Sequence, residues 1–151
     1  MKTPKRFAAA MLAPLALVLM TSATLHAEQP AFTWTHDDPG LEWLDCPPYF
    51  PQGCAMAVLQ GDPSEHNADI FLRLEPDSDV PLHYHTSAER MVLISGKFEV
   101  DYDGQEPVVM TAGTYAYGPA KLPHTARCHD AGQCVLFIAF EKPIDAPEGR
   151  P

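Results

Sequence analysis

From residue 55 onward, the chain is a succession of short apolar or alternating runs, each bounded by Gly, Pro, Asp or Asn. Runs of three to six residues between turn-forming residues are typical of antiparallel strands. Eight such runs occur, at residues 55–60, 70–74, 91–94, 97–102, 108–110, 114–117, 125–128 and 135–140. The pattern predicts one all-β domain, either an antiparallel sandwich or a small barrel.

The proline content disfavours a helical alternative. The chain has 16 prolines among 151 residues, about twice the average usage. An interior proline removes a helical hydrogen bond and clashes with the preceding turn. Asp103-Gly104, which follows the alternating run 97–102, predicts a β-hairpin turn instead.

The first 27 residues have the layout of a secretory signal peptide. Two lysines and an arginine precede an uncharged run at 7–20, and small and polar residues follow it up to Ala27. A membrane anchor is the alternative, but this run is shorter than the ~20 residues that a spanning helix needs. We expect cleavage after Ala27, with Ala23 as the other candidate, and a secreted or periplasmic protein.

The charge of the chain limits its partners. The formal net charge is −10 at pH 7, and Lys and Arg form no cluster. Binding to a nucleic-acid backbone requires such clusters, so we expect no nucleic-acid partner. We also expect no membrane partner once the signal peptide is removed. A small-molecule ligand or substrate is the expected partner.

All four cysteines follow the signal peptide, at Cys46, Cys54, Cys128 and Cys134. An even number in an oxidising compartment predicts disulfides, and four cysteines permit three pairings. Local spacing favours Cys46–Cys54 and Cys128–Cys134, the second at the neck of a hairpin. A four-cysteine zinc site is the alternative, but neither pair has the close spacing of such sites.

Composition divides the rest of the chain into three parts. Residues 28–54 scatter five prolines among aromatic residues, which predicts an irregular N-terminal arm. Residues 55–143 hold the predicted strands and form the barrel domain. Residues 144–151 form a C-terminal tail.

The segment 83–89 carries the most specific chemistry. His83 and His85 are two residues apart, so on a strand both side chains point to one face, about 6.6–6.8 Å apart along the chain. Glu89 enters after a bend, and His124 is the candidate fourth ligand further along the chain. Four such residues are hard to bury for packing alone, because unpaired burial costs several kcal/mol. They predict a metal site.

These residues resemble the two motifs of the cupin superfamily. The first motif is Gly, five residues, His-x-His, three or four residues, Glu, six residues, Gly, and it is matched by His83, His85, Glu89 and Gly96. The second is Gly, five residues, Pro-x-Gly, two residues, His, three residues, Asn, and it is matched by Gly113, Pro119 and His124.

Three positions depart from the family motifs. Asp77 and Lys121 stand where the family has glycine, and Cys128 stands where it has asparagine. Asp adopts left-handed conformations readily, so we expect Asp77 to keep its turn. We expect Lys121 to reshape its loop.

The resemblance covers residues 57–141 and implies a cupin-type double-stranded antiparallel β-barrel, which is a jelly-roll-like fold. It also implies one divalent transition metal inside the barrel, held by His83, His85, Glu89 and His124. The donor chemistry agrees, because imidazoles with one carboxylate suit iron, manganese, zinc, nickel or copper, whereas calcium and magnesium prefer more oxygen ligands. Four protein ligands leave open positions on a six-coordinate ion.

Four residues are candidates for contact with the substrate. Met91 and Leu93 share a strand face with Glu89, which predicts an apolar cavity wall. Arg73 interrupts an apolar run and is a candidate clamp for a carboxylate or enolate, with a salt bridge as the alternative. Tyr115 is the fourth candidate, and core packing is the alternative for it and for Met91.

Three functions are compatible with these residues. We favour a metal-dependent, dioxygenase-like oxidoreductase that acts on a small organic molecule. A non-catalytic metal- or ligand-binding protein and a metal-dependent lyase or isomerase are the alternatives, since a fold does not fix a function. The resemblance also implies a homodimer, because short single-domain cupins pair their barrels.

Overall fold

The computed structural model describes residues 30–129 and 132–151. In these residues ten strands form two antiparallel sheets and no helix occurs. No membrane-spanning helix is therefore found in the described part of the chain. The sheets belong to one unit, Thr33–Pro151. The predicted signal peptide, 1–27, lies outside the described residues.

The first sheet has six strands, which are β1 (Trp43–Asp45), β2 (Ala55–Gln60), β3 (Ala68–Leu74), β5 (Glu89–Ser95), β8 (Tyr115–Gly118) and β10 (Cys134–Phe140). Their order across the sheet is β1-β2-β3-β10-β5-β8. The second sheet has the order β4-β9-β6-β7, with β4 (Ser78–His83), β6 (Lys97–Tyr102), β7 (Val108–Thr111) and β9 (His124–Cys128). The prediction of an all-β antiparallel fold is confirmed.

Strand alternation builds the core from both sheets. In β6, Phe98, Val100 and Tyr102 are buried while the residues between them are partly or fully exposed. The first sheet contributes further fully buried side chains, among them Leu74, Leu93, Leu136 and Phe140. Full burial of each such side chain stabilises the fold by ~1.5–3 kcal/mol, so the core holds the two sheets together.

Both favoured disulfides are present, Cys46–Cys54 and Cys128–Cys134. The expected hairpin between Cys128 and Cys134 is wrong, because β9 pairs with β4 and β6 whereas β10 pairs with β3 and β5. The chain passes from one sheet to the other at this point. The Cys128–Cys134 disulfide therefore links the two sheets.

Gly96 connects β5 to β6 beside that disulfide. Its φ is +84°, and an added Cβ would lie 2.9 Å from Sγ of Cys134 and 2.8 Å from the carbonyl oxygen of Gln133. Both the backbone conformation and the space at this turn therefore require glycine. This is the glycine that ends the first motif.

The structure adds two strands that the sequence pattern did not predict. The arm at 28–54 is not irregular throughout, because Trp43–Asp45 forms β1 and pairs with β2. Strand β4 contains Pro81, which has no N–H to donate, and its pairing with β9 shifts register between Val80 and His83. The proline hid this strand in the sequence.

Two of the departures from the glycine pattern keep the glycine backbone conformation. Asp77 has a φ of 56° and Lys121 a φ of 64°. The turn at Asp77 is thus kept as expected, whereas the loop at Lys121 is not reshaped away from φ > 0. The N–H of Lys121 donates to the carbonyl oxygen of His85 at 2.7 Å, which holds the loop in place.

We expect Lys121→Gly to raise the free energy of unfolding by ~0.5–1 kcal/mol. Relief of the left-handed strain gains ~1–2 kcal/mol, and the greater chain entropy of glycine in the unfolded state offsets about half of it. Urea unfolding at pH 7 measures the change. Asp77→Gly is the matched control and should gain less, because Asp tolerates this region. Equal or lower stability of Lys121→Gly would contradict the strain argument.

Candidate metal centre

Three histidines converge where β4 and β9 pair. His83 is the last residue of β4 and lies opposite His124, the first residue of β9, while His85 follows two residues after β4 ends. All three are at most 8% exposed. Their ligand nitrogens lie within 4.8 Å of one another.

Each of these imidazoles has its Nδ1 bonded to a backbone carbonyl. The partner of His83 is Pro81, at 2.9 Å, and the partner of His124 is Leu122, at 3.1 Å. The partner of His85 is Asp145 of the tail. A carbonyl oxygen only accepts, so each Nδ1 carries the proton and each neutral ring keeps its Nε2 lone pair for a ligand.

Aromatic rings pack against the three imidazoles. Phe50 lies 5.1 Å from His83 and Phe140 lies 5.3 Å from His85, measured between ring centroids. Tyr102 lies 5.0 Å from the ring of His124. These edge and tilted contacts are the favourable geometry for ring pairs, and they restrict rotation of each imidazole.

Glu89, the first residue of β5, adds a buried carboxylate to the cluster. Its Oε2 lies 3.6 Å from Nε2 of His85, and its Oε1 lies 3.4 Å from Nε2 of His124. The hydroxyl of Tyr102 donates to Oε1 at 3.3 Å. The structure thus brings the three histidines together within 4.8 Å and places Glu89 against two of them, His85 and His124. The role of the four residues as metal ligands stays a prediction.

Burial favours the uncharged form of His83 and His124. Removal from water lowers the pKa of His83 to about 3, and the neighbouring His124 and His85 lower it further. Burial also lowers the pKa of His124, although the Glu89 carboxylate opposes the shift. Burial and the same carboxylate raise the pKa of Tyr102. Near neutral pH, His83 and His124 are therefore neutral imidazoles, and the Tyr102 phenol beside them is protonated.

The donor set fits a divalent transition metal. His83, His85 and His124 would supply neutral Nε2 atoms, and Glu89 would supply a carboxylate oxygen. Borderline ions such as iron, manganese, nickel, copper and zinc accept such mixed sets, whereas calcium and magnesium favour oxygen. Nitrogen donors with their lone pairs already free lower the cost of binding the ion.

A cavity of ≈170 Å³ opens beside the histidines. Its walls come from both sheets, and most of the lining side chains are apolar, among them Ile70, Leu72, Met91, Val100, Leu136 and Ile138. The disulfide loop (46–54) contributes Phe50, and the tail (144–151) contributes Ile144 and Asp145. No Lys or Arg of the described chain lines the cavity.

The four candidate substrate contacts do not all lie at the cavity. Met91 lines the cavity. Leu93 is fully buried in the core and does not line it. Arg73 points out of the opposite face of β3 and stacks over Trp43, with its guanidinium 4.1 Å from the ring centroid. Tyr115 is 58% exposed on the outer face of β8. Arg73 and Tyr115 are therefore placed away from the cavity.

Sequence reasoning missed several residues that shape the site. Phe50, Tyr102 and Asp145 contact the ligand candidates, but they lie far from the motifs or outside their spacing. Gly118 was also missed, although an added Cβ there would lie 2.5 Å from Oε1 of Glu89 and 2.7 Å from the hydroxyl of Tyr102. The sequence around Gly118 indicated only the end of a short strand before Pro119, and it gave no sign that Gly118 contacts Glu89.

Comparison with known families identifies the domain that holds this site. Residues 70–140 match the cupin domain family. The chain carries a cupin domain. The match contains the three histidines and Glu89, so the candidate centre lies inside the cupin domain. A search of curated protein sequences finds no match.

Solved structures share the cupin fold at low sequence identity. A cupin-2 domain protein, Rru_A2000 from Rhodospirillum rubrum, has a TM-score of 0.63 at 14% identity, over 80% of this chain and 83% of that chain. A RmlC-like cupin from Shewanella frigidimarina has a TM-score of 0.59 at 20% identity, over 77% and 93%.

The DMSP lyase DddQ from Ruegeria pomeroyi has a TM-score of 0.62 at 19% identity, over 73% of this chain. The chain spans 64% of the length of that lyase, and 63% of a second DMSP lyase structure. At these identities the similarity concerns the fold alone.

The lowered pKa of His83 predicts acid sensitivity of the metal-free protein. The folded-state pKa lies below the unfolded value, so the unfolded chain binds more protons and stability falls as the pH drops below ~6.5. We expect protonation of His83 in the unfolded chain to lower the free energy of unfolding by about 2 kcal/mol between pH 7 and pH 5. Urea unfolding at the two pH values measures this loss.

His83→Asn should reduce that loss, because asparagine does not titrate. His66→Asn is the matched control, since it also removes one histidine but from an exposed loop. An equal pH dependence of wild type and His83→Asn would contradict the buried, uncharged state of His83.

Proposed function

We propose that this protein is a metal-dependent oxidoreductase of the dioxygenase type, acting on a small and mostly uncharged organic molecule. The observation that carries the proposal is the convergence of three buried imidazoles on an apolar cavity, with Nδ1 of each ring bonded to a backbone carbonyl. The ion, when bound, supplies a Lewis acid with open coordination positions for substrate and oxygen. The protein supplies the ligands, the cavity and the exclusion of water.

The cavity supports the size and charge of the substrate. An apolar cavity of about 150 Å³ holds a benzene-sized molecule, and this cavity has ≈170 Å³. A charged group placed away from the metal would have no Lys or Arg partner among the described lining residues, and an unpaired buried charge is costly. The substrate therefore has to be anchored through the metal centre and held by apolar contacts.

The side chains around the cavity support a reaction that needs no protein nucleophile. The described lining contains no Ser, Thr, Lys or free thiol. Its acidic members are Glu89, beside the histidines, and Asp145, whose carboxylate is bound by Thr86. A reaction driven by oxygen and the substrate's own electrons fits such a site better than acyl or phosphoryl transfer.

One observation favours a second candidate, a metal-dependent lyase or isomerase. The Tyr102 hydroxyl donates to Glu89, so a proton donor and a carboxylate acceptor lie in contact at the centre. Such a pair can move a proton next to a carbonyl that the metal polarises. The fold shared with DMSP lyases is compatible with it, but the alternative rests on the Tyr102–Glu89 pair.

Oxygen consumption by singly metallated protein distinguishes these functions. The metal-free protein is reconstituted with iron, manganese, nickel, copper or zinc, and each form is offered small diketones and carboxylic acids of equal size. We expect oxygen uptake with a redox-active ion and none with zinc, which has no redox chemistry. Compounds with a second carboxylate, away from the group that the metal would hold, should be turned over about 10-fold or more less well, because no Lys or Arg of the described lining can pair with that charge.

The controls separate the site from the rest of the fold. His85→Ala should lose the ion and the oxygen uptake, whereas Arg73→Ala, on the outer face of β3, should keep both. Product formation without oxygen, in the zinc form as well, would overturn the dioxygenase proposal in favour of the lyase or isomerase. Metal binding without turnover of any compound would favour a non-catalytic binding protein instead of an enzyme.

We further propose that the protein works outside the cytosol, as a homodimer. Two disulfides support an oxidising compartment. Exposed large side chains on the two sheet edges, among them Val109, Tyr115 and Tyr117, offer apolar surface for a second barrel. Sedimentation at micromolar concentration should give twice the mass of the mature chain, and a monomer would contradict this assembly.

A further inference from the structure

Asp145 of the tail makes two different contacts with consecutive residues. Its backbone carbonyl accepts the hydrogen bond from Nδ1 of His85. Its carboxylate accepts one hydrogen bond from the N–H of Thr86, at 2.8 Å, and another from the Thr86 hydroxyl, at 2.7 Å. Asp145 therefore forms hydrogen bonds with both His85 and Thr86.

This arrangement differs from that of the other two histidines. His83 and His124 find their carbonyl partners two residues earlier in their own segments. His85 instead depends on a carbonyl that lies 60 residues further along the chain. A distant carbonyl is not placed by local backbone geometry, so something else has to hold it against the ring. The paired bonds from Thr86 to the Asp145 carboxylate act on this residue directly. Its neighbours are held as well, because the N–H of Ile144 donates to the carbonyl oxygen of Pro63 at 2.8 Å and the Tyr49 hydroxyl donates to that of Ala146.

We propose that Asp145 is a positioning residue for the metal centre, whose side chain clamps Thr86 so that its carbonyl fixes the ring and tautomer of His85. The proposal rests on the proposed metal-dependent function. The clamp keeps the proton on Nδ1 and the lone pair on Nε2, where an ion would bind. Hydrogen-bond partners of this kind typically change metal affinity by about 10- to 100-fold.

The rest of the tail is held by independent contacts. The N–H of Tyr84 donates to the carbonyl of Pro147 at 3.2 Å, and the N–H of Gly149 donates to that of Leu82 at 2.8 Å. Arg150 forms two hydrogen bonds with the carboxylate of Asp103, each 3.1 Å. Removal of the Asp145 carboxylate therefore leaves the tail attached to β4 and to Asp103.

Two readouts test the clamp, and the first needs no metal. Long-range nitrogen NMR of the metal-free protein reports which imidazole nitrogen of His85 carries the proton. We expect a protonated Nδ1 in wild type and a mixture of tautomers in Asp145→Ala. In the second readout, chelator competition with zinc should show about 10- to 100-fold weaker binding by Asp145→Ala.

Three further variants make the test specific. Asp145→Asn keeps an oxygen for the Thr86 N–H and an amide that can donate to the Thr86 hydroxyl, so it should restore the tautomer and most of the affinity. Thr86→Val removes one of the two bonds without shortening the side chain and should give a smaller loss. Arg150→Ala is the matched control, because it releases a different side-chain anchor of the tail, and it should change neither readout.

The outcomes separate this proposal from the one on which it rests. If wild type binds none of the tested ions, the metal-dependent function fails. If wild type binds zinc and Asp145→Ala keeps both the affinity and the single tautomer, the clamp is wrong. Equal losses in Asp145→Ala and Arg150→Ala would also overturn it, because they would trace the effect to general attachment of the tail.

Discussion

The burial of three imidazoles beside an apolar cavity is the constraint on which the rest of the site depends. A buried ring N–H without a partner costs about 1–3 kcal/mol, so each of the three rings needs an acceptor. The acceptors are backbone carbonyls, two of them within the ring's own segment and one from the tail. Nδ1 of each ring is bonded to a carbonyl in this way, and Nε2 is left without a backbone partner.

The sequence predicts the parts of this centre that depend on local spacing. His83 and His85 share a face because they are two residues apart, and the same parity places Met91 in the cavity wall once Glu89 faces inward. Strands with clear alternation, such as β6, were predicted with their full bounds. These are properties that a few neighbouring residues determine.

The parts that the sequence did not predict depend on the facing direction of a strand or on distant segments. Arg73 was proposed as a substrate clamp, but Ile70 and Leu72 face the cavity, and alternation sends Arg73 to the other side of β3. No residue of β3 signals in advance which face is inner. Strand β4 was hidden by Pro81, and Asp145 has no motif around it, because its partner lies 60 residues away.

That separation also sets an order of events during maturation. A polypeptide that is synthesised from its N-terminus presents β4 and β9, which carry His83 and His124, before residue 145 has emerged. Ordering a contact between residues 60 positions apart also carries the entropy of closing a long loop. The barrel can therefore collapse around its histidines first, while His85 acquires a fixed orientation only at the last step. The hydrogen bond that orients His85 is therefore a property of the finished chain rather than of a nascent one.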